Sequence, residues 1–357
     1  MHKDDQMTPN ERLAAFFSGG EIDRLPAMPF YVSVAGKIAG MTHREKRSSS
    51  YNQAMAQVIS YQKLGHDGLT VEYGLHGVGH ACGSKWNDPE DGVPAIVDHF
   101  MKTIDDVNKL DMDKVRKEND PWLKLNLEAT EICNEKVGDE VGVNISTPGP
   151  ITAASSLYPV DKLLRDMRRN PEKVHQLLRF CTDAIKYVTD EFRAVNGGTF
   201  LCDPIASGNI MSEKAYREFV LPYTKEIMDH VHAHGGGVGY HICGNTTKIT
   251  KAMLETGCDM LSIDTVVSLK YAKEIAGDKV PLIGNVDPNQ TMMLGGREEI
   301  YRNMKENLLD AYDSPKGYIV STGCDIPINS PIENNYIFME ACRELAKWPL
   351  DPKNFAL

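Results

Sequence analysis

The fold is read from Gly235-Gly236-Gly237-Val238-Gly239-Tyr240-His241-Ile242-Cys243-Gly244. Three glycines end a helical stretch, and an apolar run of strand character follows, closing in His-x-Cys-Gly. Alternate residues of a strand face the same way, so His241 and Cys243 share one face, roughly 6.5–7 Å apart at Cα. A second apolar run ends in Thr322-Gly323-Cys324-Asp325, and Cys324 therefore comes from a different strand. One imidazole and two thiols converging at strand ends make a soft three-ligand cage with a fourth position open. That is the pattern of a catalytic zinc site rather than a structural one.

Working outward, the same alternation of strand and helix fills the chain. The strand candidates are Met28–Val34, Gly68–Tyr73, Val141–Ser146, Gly197–Pro204, Gly237–Cys243, Met260–Asp264, Val280–Val286 and Gly317–Cys324. Helical patterns separate them: Tyr51–Leu64, Lys124–Lys136, Val160–Asn170, Pro171–Val195, Ser212–Ala233, Thr246–Thr256, Ser268–Ala276, Arg297–Ala311 and Pro331–Lys347. Ser212 reads as an N-cap, Pro171 as a helix opening and Gly257 as a helix end. Strands alternating with helices imply a parallel sheet covered by helices, α/β in class. The most economical form is one (β/α)8 TIM barrel spanning residues 1–357 with a short N-terminal helical extension. An open doubly wound sheet is the runner-up, and its dinucleotide version lacks a G-x-G-x-x-G after an early strand.

A chain of 357 residues with 41% hydrophobic content buries a large core. Its formal charge of −11 argues against nucleic acid as a partner. No apolar stretch approaches the roughly 20 residues of a membrane span, and the polar start Met1-His2-Lys3-Asp4-Asp5 does not read as a signal peptide, so a cytoplasmic location is expected. The eight cysteines are scattered. Cys133, Cys181, Cys258 and Cys342 read as small buried apolar residues, and Cys82 as packing.

In a barrel of this kind the active site lies at the C-terminal ends of the strands. The polar residues at those ends form the candidate list: Glu72, Asn144, Asp203, His241, Cys243, Asp264, Asn285, Asp287 and Cys324. His76 and His80 join it from the Gly-rich segment Gly74–His80, which reads as a mobile loop. His230, His232 and His234 alternate near a helix end and read as cations stabilising its C-terminus.

These residues bring a known group into view. Thr8-Pro9-Asn10-Glu11-Arg12-Leu13, Asp23-Arg24-Leu25-Pro26, Ala206-Ser207-Gly208, Phe219-Val220-Leu221-Pro222, Gly284-Asn285-Val286-Asp287-Pro288 and Ser330-Pro331-Ile332-Glu333-Asn334 resemble uroporphyrinogen decarboxylase-like proteins over nearly the whole chain. The resemblance implies a distorted (β/α)8 barrel. It also poses a choice between decarboxylases and cobamide-dependent methyltransferases. The decarboxylase motif Arg-Gln-Ala-Gly-Arg reads Ser33-Val34-Ala35-Gly36-Lys37 here, and the position of its catalytic Asp falls on Gly74. An acidic chain without those guanidinium forks is poorly suited to a substrate with eight carboxylates. The methyltransferase branch carries zinc on His-x-Cys and a distant Cys, which His241, Cys243 and Cys324 match.

That branch implies Zn2+ and a corrinoid carried by a partner protein, with dimers usual among its members. Two directions are open. In the first, favoured by the sequence, a small methyl ether, aromatic ethers included, gives its methyl group to Co(I), as in O-demethylation. In the second, methylcobamide passes a methyl group to a thiol. Several thiol-methylating relatives place a carboxylate where this chain has His80, which tilts the reading toward the ether. A leaving alkoxide wants a proton donor, and Glu72 or His76 is expected to supply it, with Asp203 as a further catalytic carboxylate. Asp203, Asp264 and Asp287 are the available partners for the other nitrogen of His241. His80, Asn144, Asn285 and Asp287 are the expected substrate contacts. A metal-free decarboxylase and a non-catalytic protein that docks a corrinoid carrier are the remaining alternatives.

Overall fold

A computed structural model describes residues 1–357. Nine strands occur in chain order: β1 (Leu69–Glu72), β2 (Lys85–Trp86), β3 (Ile96–Asp98), β4 (Val143–Pro148), β5 (Gly197–Cys202), β6 (Val238–His241), β7 (Met260–Ser262), β8 (Leu282–Val286) and β9 (Tyr318–Thr322). Seven of them form one parallel sheet in the order β1-β4-β5-β6-β7-β8-β9, while β2 and β3 pair as a separate antiparallel hairpin. Each parallel step is crossed by helix, which makes the fold α/β and TIM-barrel-like.

The expected first strand, Met28–Val34, is not a ladder strand. Its place is taken by Pro26–Phe30. Ala27 bridges Val320 in parallel, the amide of Met28 donates to the carbonyl of Val320, and the amide of Asp67 donates to the carbonyl of Ala27. The segment therefore lies between β9 and the start of β1. Pro26 and Pro29 have no N–H to give, so a regular ladder cannot form on both sides.

The opening motifs seat this segment. Thr8 and Glu11 make a capping box at the head of the helix Pro9–Ser18. Arg12 reaches Asp23 and Asp67, and Arg24 reaches Asp5 and Asp67. Both guanidinium groups are almost wholly buried. The Asp67 carboxylate also accepts from the amide of Ala27 at 2.6 Å, which fixes the start of the barrel.

Two helical expectations change, and one helix is added. Ser212–Ala233 is two helices, Glu213–Phe219 and Leu221–Ala233, because Pro222 cannot donate into a continuous ladder. Thr246–Thr256 shortens to Thr250–Leu254. A helix that the pattern did not announce, Pro150–Leu157, follows β4. No helix is long and apolar enough to cross a membrane.

Candidate metal centre

Residues 241 and 243 stand at the C-terminal end of β6, and Cys324 stands two residues past the end of β9. The structure brings the three together. Cys243 Sγ lies 3.2 Å from His241 Nε2 and 3.5 Å from Cys324 Sγ, and one donor atom from each residue lies within 4.8 Å of the others. His241 is nearly buried and its ring packs 5.2 Å from that of Phe30. The Cys324 thiol is pushed well above its usual value, first by its contact with Cys243 Sγ and then by burial. A cation held there would favour loss of the Cys324 proton. A borderline nitrogen and two soft sulfurs, aimed at one point, fit zinc in donor type and number.

The backbone around the cluster is fixed by side chains from neighbouring strands. His241 pairs in register with Ser262 on β7, and Nδ1 of its ring is hydrogen-bonded to Ser262 Oγ at 3.0 Å. This bond leaves Nε2 facing the sulfurs. Asp264 takes a different task from the one expected of it: its carboxylate accepts from the amide of Gly244 at 2.7 Å and so anchors the turn after Cys243. Gly244 has φ +83°, and a Cβ there would sit 2.7 Å from both Asn209 Oδ1 and Ser207 Oγ. The turn therefore requires glycine.

A cavity of about 150 Å³ opens above the cluster. Half of its lining residues are hydrophobic, with Phe30, Tyr73, Trp86 and Trp122 contributing rings. Glu72 and His76 line it as well. Burial works to raise the Glu72 carboxyl, but Lys46 at 3.2 Å, with His43 and Arg47 behind it, holds the group below its usual value. Glu72 is therefore an ionised partner of a buried ammonium rather than a held acid. Burial lowers the His76 imidazole, against a weaker upward pull from Glu72, so that ring is neutral at pH 7. His80 stacks on Trp86 with ring centroids 4.0 Å apart, and burial lowers its imidazole too. It touches the cavity only through Trp86.

The other expected residues lie elsewhere. Cys202 lines the cavity, so its neighbour Asp203 points the opposite way, out of the barrel. There its carboxylate accepts from the amide and hydroxyl of Thr152, at 3.0 and 2.6 Å, and caps the helix Pro150–Leu157. Burial raises Asp203 to about 7. Asn144 faces inward but lies two residues deeper than Ser146, in a small cavity below the first, beside Phe30, Thr70 and Phe200. Asn285 donates to the carbonyls of Asp264 and Val267 and latches that loop. Asp287 accepts from the amides of Asn289 and Gln290, a turn cap. None of Asp203, Asp264 and Asp287 bonds the His241 ring, which Ser262 holds instead.

Sequence reasoning passed over Asp325, Ser33, Lys46, Arg47 and the two tryptophans, all at or beside the cavity. Asp325 accepts from the hydroxyl and amide of Ser33 and from the amide of Val32. Burial raises it to about 6, against those bonds. Its adjacency to Cys324 was the available signal. Lys46 and Arg47 come from a short helix, His43–Arg47, with no pattern pointing inward. Cys202 is a third sulfur on the cavity wall. It lies outside the three-residue cluster, and burial raises its thiol to about 12.

Comparison with known proteins follows the same lines. MtbA of Methanosarcina acetivorans, a methylcobamide:CoM methyltransferase, is 28% identical over 345 residues, covering 95% of this chain and 98% of that protein. A methylated-thiol--coenzyme M methyltransferase of Methanosarcina mazei is 25% identical over 346 residues, covering 95% and 90%. The solved structure of a methyltransferase from Methanosarcina mazei superposes with a TM-score of 0.83 over 94% of this chain and 98% of that one, at 24% identity, which attests the fold. A family model for uroporphyrinogen decarboxylase (URO-D) matches residues 8–345, and the chain belongs to that family.

Proposed function

We propose that this protein is a zinc-dependent methyltransferase that moves a methyl group between a corrinoid on a partner protein and a small thiol. The observation that carries the reading is the convergence of His241 Nε2, Cys243 Sγ and Cys324 Sγ within 4.8 Å at the floor of an open cavity. Zinc held by these three residues supplies Lewis acidity that keeps a bound thiol as its nucleophilic thiolate. The chain's own groups prepare that site. Ser262 turns His241, Asp264 holds the turn after Cys243, and the Glu72–Lys46 pair fixes the wall beside it. The rings of Phe30, Tyr73, Trp86 and Trp122 stand in the cavity wall beside the cluster.

The thiol direction displaces the ether direction favoured by the sequence. Two observations support the change. The near-full-length relatives are named for transfer to coenzyme M or from methylated thiols. The groups expected to protonate a leaving alkoxide are not poised to do so, since Glu72 is paired with Lys46 and His76 is neutral. The test mixes the zinc-loaded protein with methylcobalamin and a panel of small thiols, coenzyme M among them, and follows the methyl-cobalt spectrum. Thiol-dependent loss of that spectrum is expected. Methylation of Co(I) by methyl ethers, with no thiol-dependent loss, would restore the ether direction.

A further inference from the structure

On the opposite face of the barrel, Asp190, His230 and His234 gather at the ends of two neighbouring helices. Asp190 lies in the last turns of Pro171–Ala194, His230 in the last turn of Leu221–Ala233, and His234 one residue past that helix. β5 and β6 begin just after them, at Gly197 and Val238. The cluster therefore sits at the N-terminal ends of strands whose C-terminal ends carry Cys202 and His241.

The three side chains are arranged as ligands. His230 and His234 are four apart and share one face of the helix end, with ring centroids 4.6 Å apart. His230 Nε2 lies 3.0 Å from Asp190 Oδ2. His234 Nδ1 lies 2.8 Å from the carbonyl oxygen of His230, so that nitrogen carries the proton and Nε2 keeps a free lone pair. One donor atom from each residue lies within 4.8 Å of the others. Arg193 approaches the other oxygen of Asp190, Oδ1, at 3.5 Å, which leaves Oδ2 for the histidines. His232, between the two, turns away to Asp259 at 2.8 Å. Attraction to the helix C-terminus would favour any cation there. It does not account for a carboxylate brought in from a second helix, nor for a ring whose free nitrogen is set by its own backbone.

We propose that Asp190, His230 and His234 bind a divalent transition metal, with two imidazoles and one carboxylate as donors, and thereby tie the two helices together. This donor set is harder than the two thiolates and one imidazole across the barrel. It follows the usual order of divalent affinities, nickel and copper ahead of cobalt, while the thiolates retain zinc. The inference stands independently of the methyl-transfer reading.

The test titrates Ni2+ alone into the full chain carrying one equivalent of zinc, by calorimetry and by X-ray absorption at the nickel edge. One saturable equivalent is expected, with nitrogen and oxygen neighbours and no sulfur, and nickel should raise the melting temperature. His230→Gln with His234→Gln should weaken binding by an order of magnitude or more and abolish the melting shift. Asp190→Asn should weaken it less, and His232→Gln should leave it unchanged. These side chains are at the surface, and circular dichroism confirms that the variants fold. Sulfur around nickel, no saturable equivalent, or undiminished binding by the double variant would each overturn the proposal.

Discussion

Ser262 is a small residue with a large assigned task, since its hydroxyl alone holds the far nitrogen of His241. Replacing it with Ala frees the ring to rotate and to change tautomer. Metal affinity of Ser262→Ala, measured by competition with a chelator, should fall about 10–100-fold, and Ser262→Thr should recover most of it. Asp203 gives the converse case, a carboxyl read from the sequence as catalytic that the structure places outside the cavity. Its raised value favours the protonated form in the fold. That contribution is full below its ordinary value of 3.8 and is lost as pH rises through about 7. Asp203→Asn remains neutral and still accepts from Thr152. Relative to the parent it should gain stability between about pH 6 and 9 in chemical denaturation, with turnover little changed. Loss of turnover with stability intact would return Asp203 to the reaction. The convergence of His241, Cys243 and Cys324 was legible because ligand chemistry is written in residue type. The facing of Asp203 was not, because one step along a strand reverses the side a residue faces.

At the scale of elements, the turn after β6 shows how local geometry governs the centre. Gly244 combines a left-handed backbone with close approach to Asn209 and Ser207, while Asp264 holds its amide. Gly244→Ala meets both obstacles and should move Cys243 out of the cluster. The expected result is a chain that folds, by circular dichroism, but takes up less than one metal per chain. Full metal content would show that the turn tolerates displacement. The strands of the parallel sheet were legible as apolar runs ending in polar residues. The first barrel segment was not, since Pro26 and Pro29 preserve its apolar look while removing its donors. The β2–β3 hairpin was missed for a different reason. Its strands are very short, and it earns its place by delivering Trp86 to the cavity wall rather than by a pattern of its own.

Over the whole molecule, the acidic and basic residues of the opening motifs are spent on construction, and the candidate metal ligands lie at the strand ends. Arg12, Arg24 and Asp67 fasten the N-terminal segment into the barrel, and the sulfur and imidazole donors then meet at the opposite end of the strands. The most direct measurement is zinc-edge X-ray absorption on the metal-loaded full chain, before and after adding a small thiol acceptor. The account predicts one nitrogen and two sulfurs from the protein with a light atom in the fourth position, and a third sulfur replacing that atom when the thiol is added. A zinc shell without sulfur, or one already closed by a further protein ligand and unchanged by thiol, would contradict it.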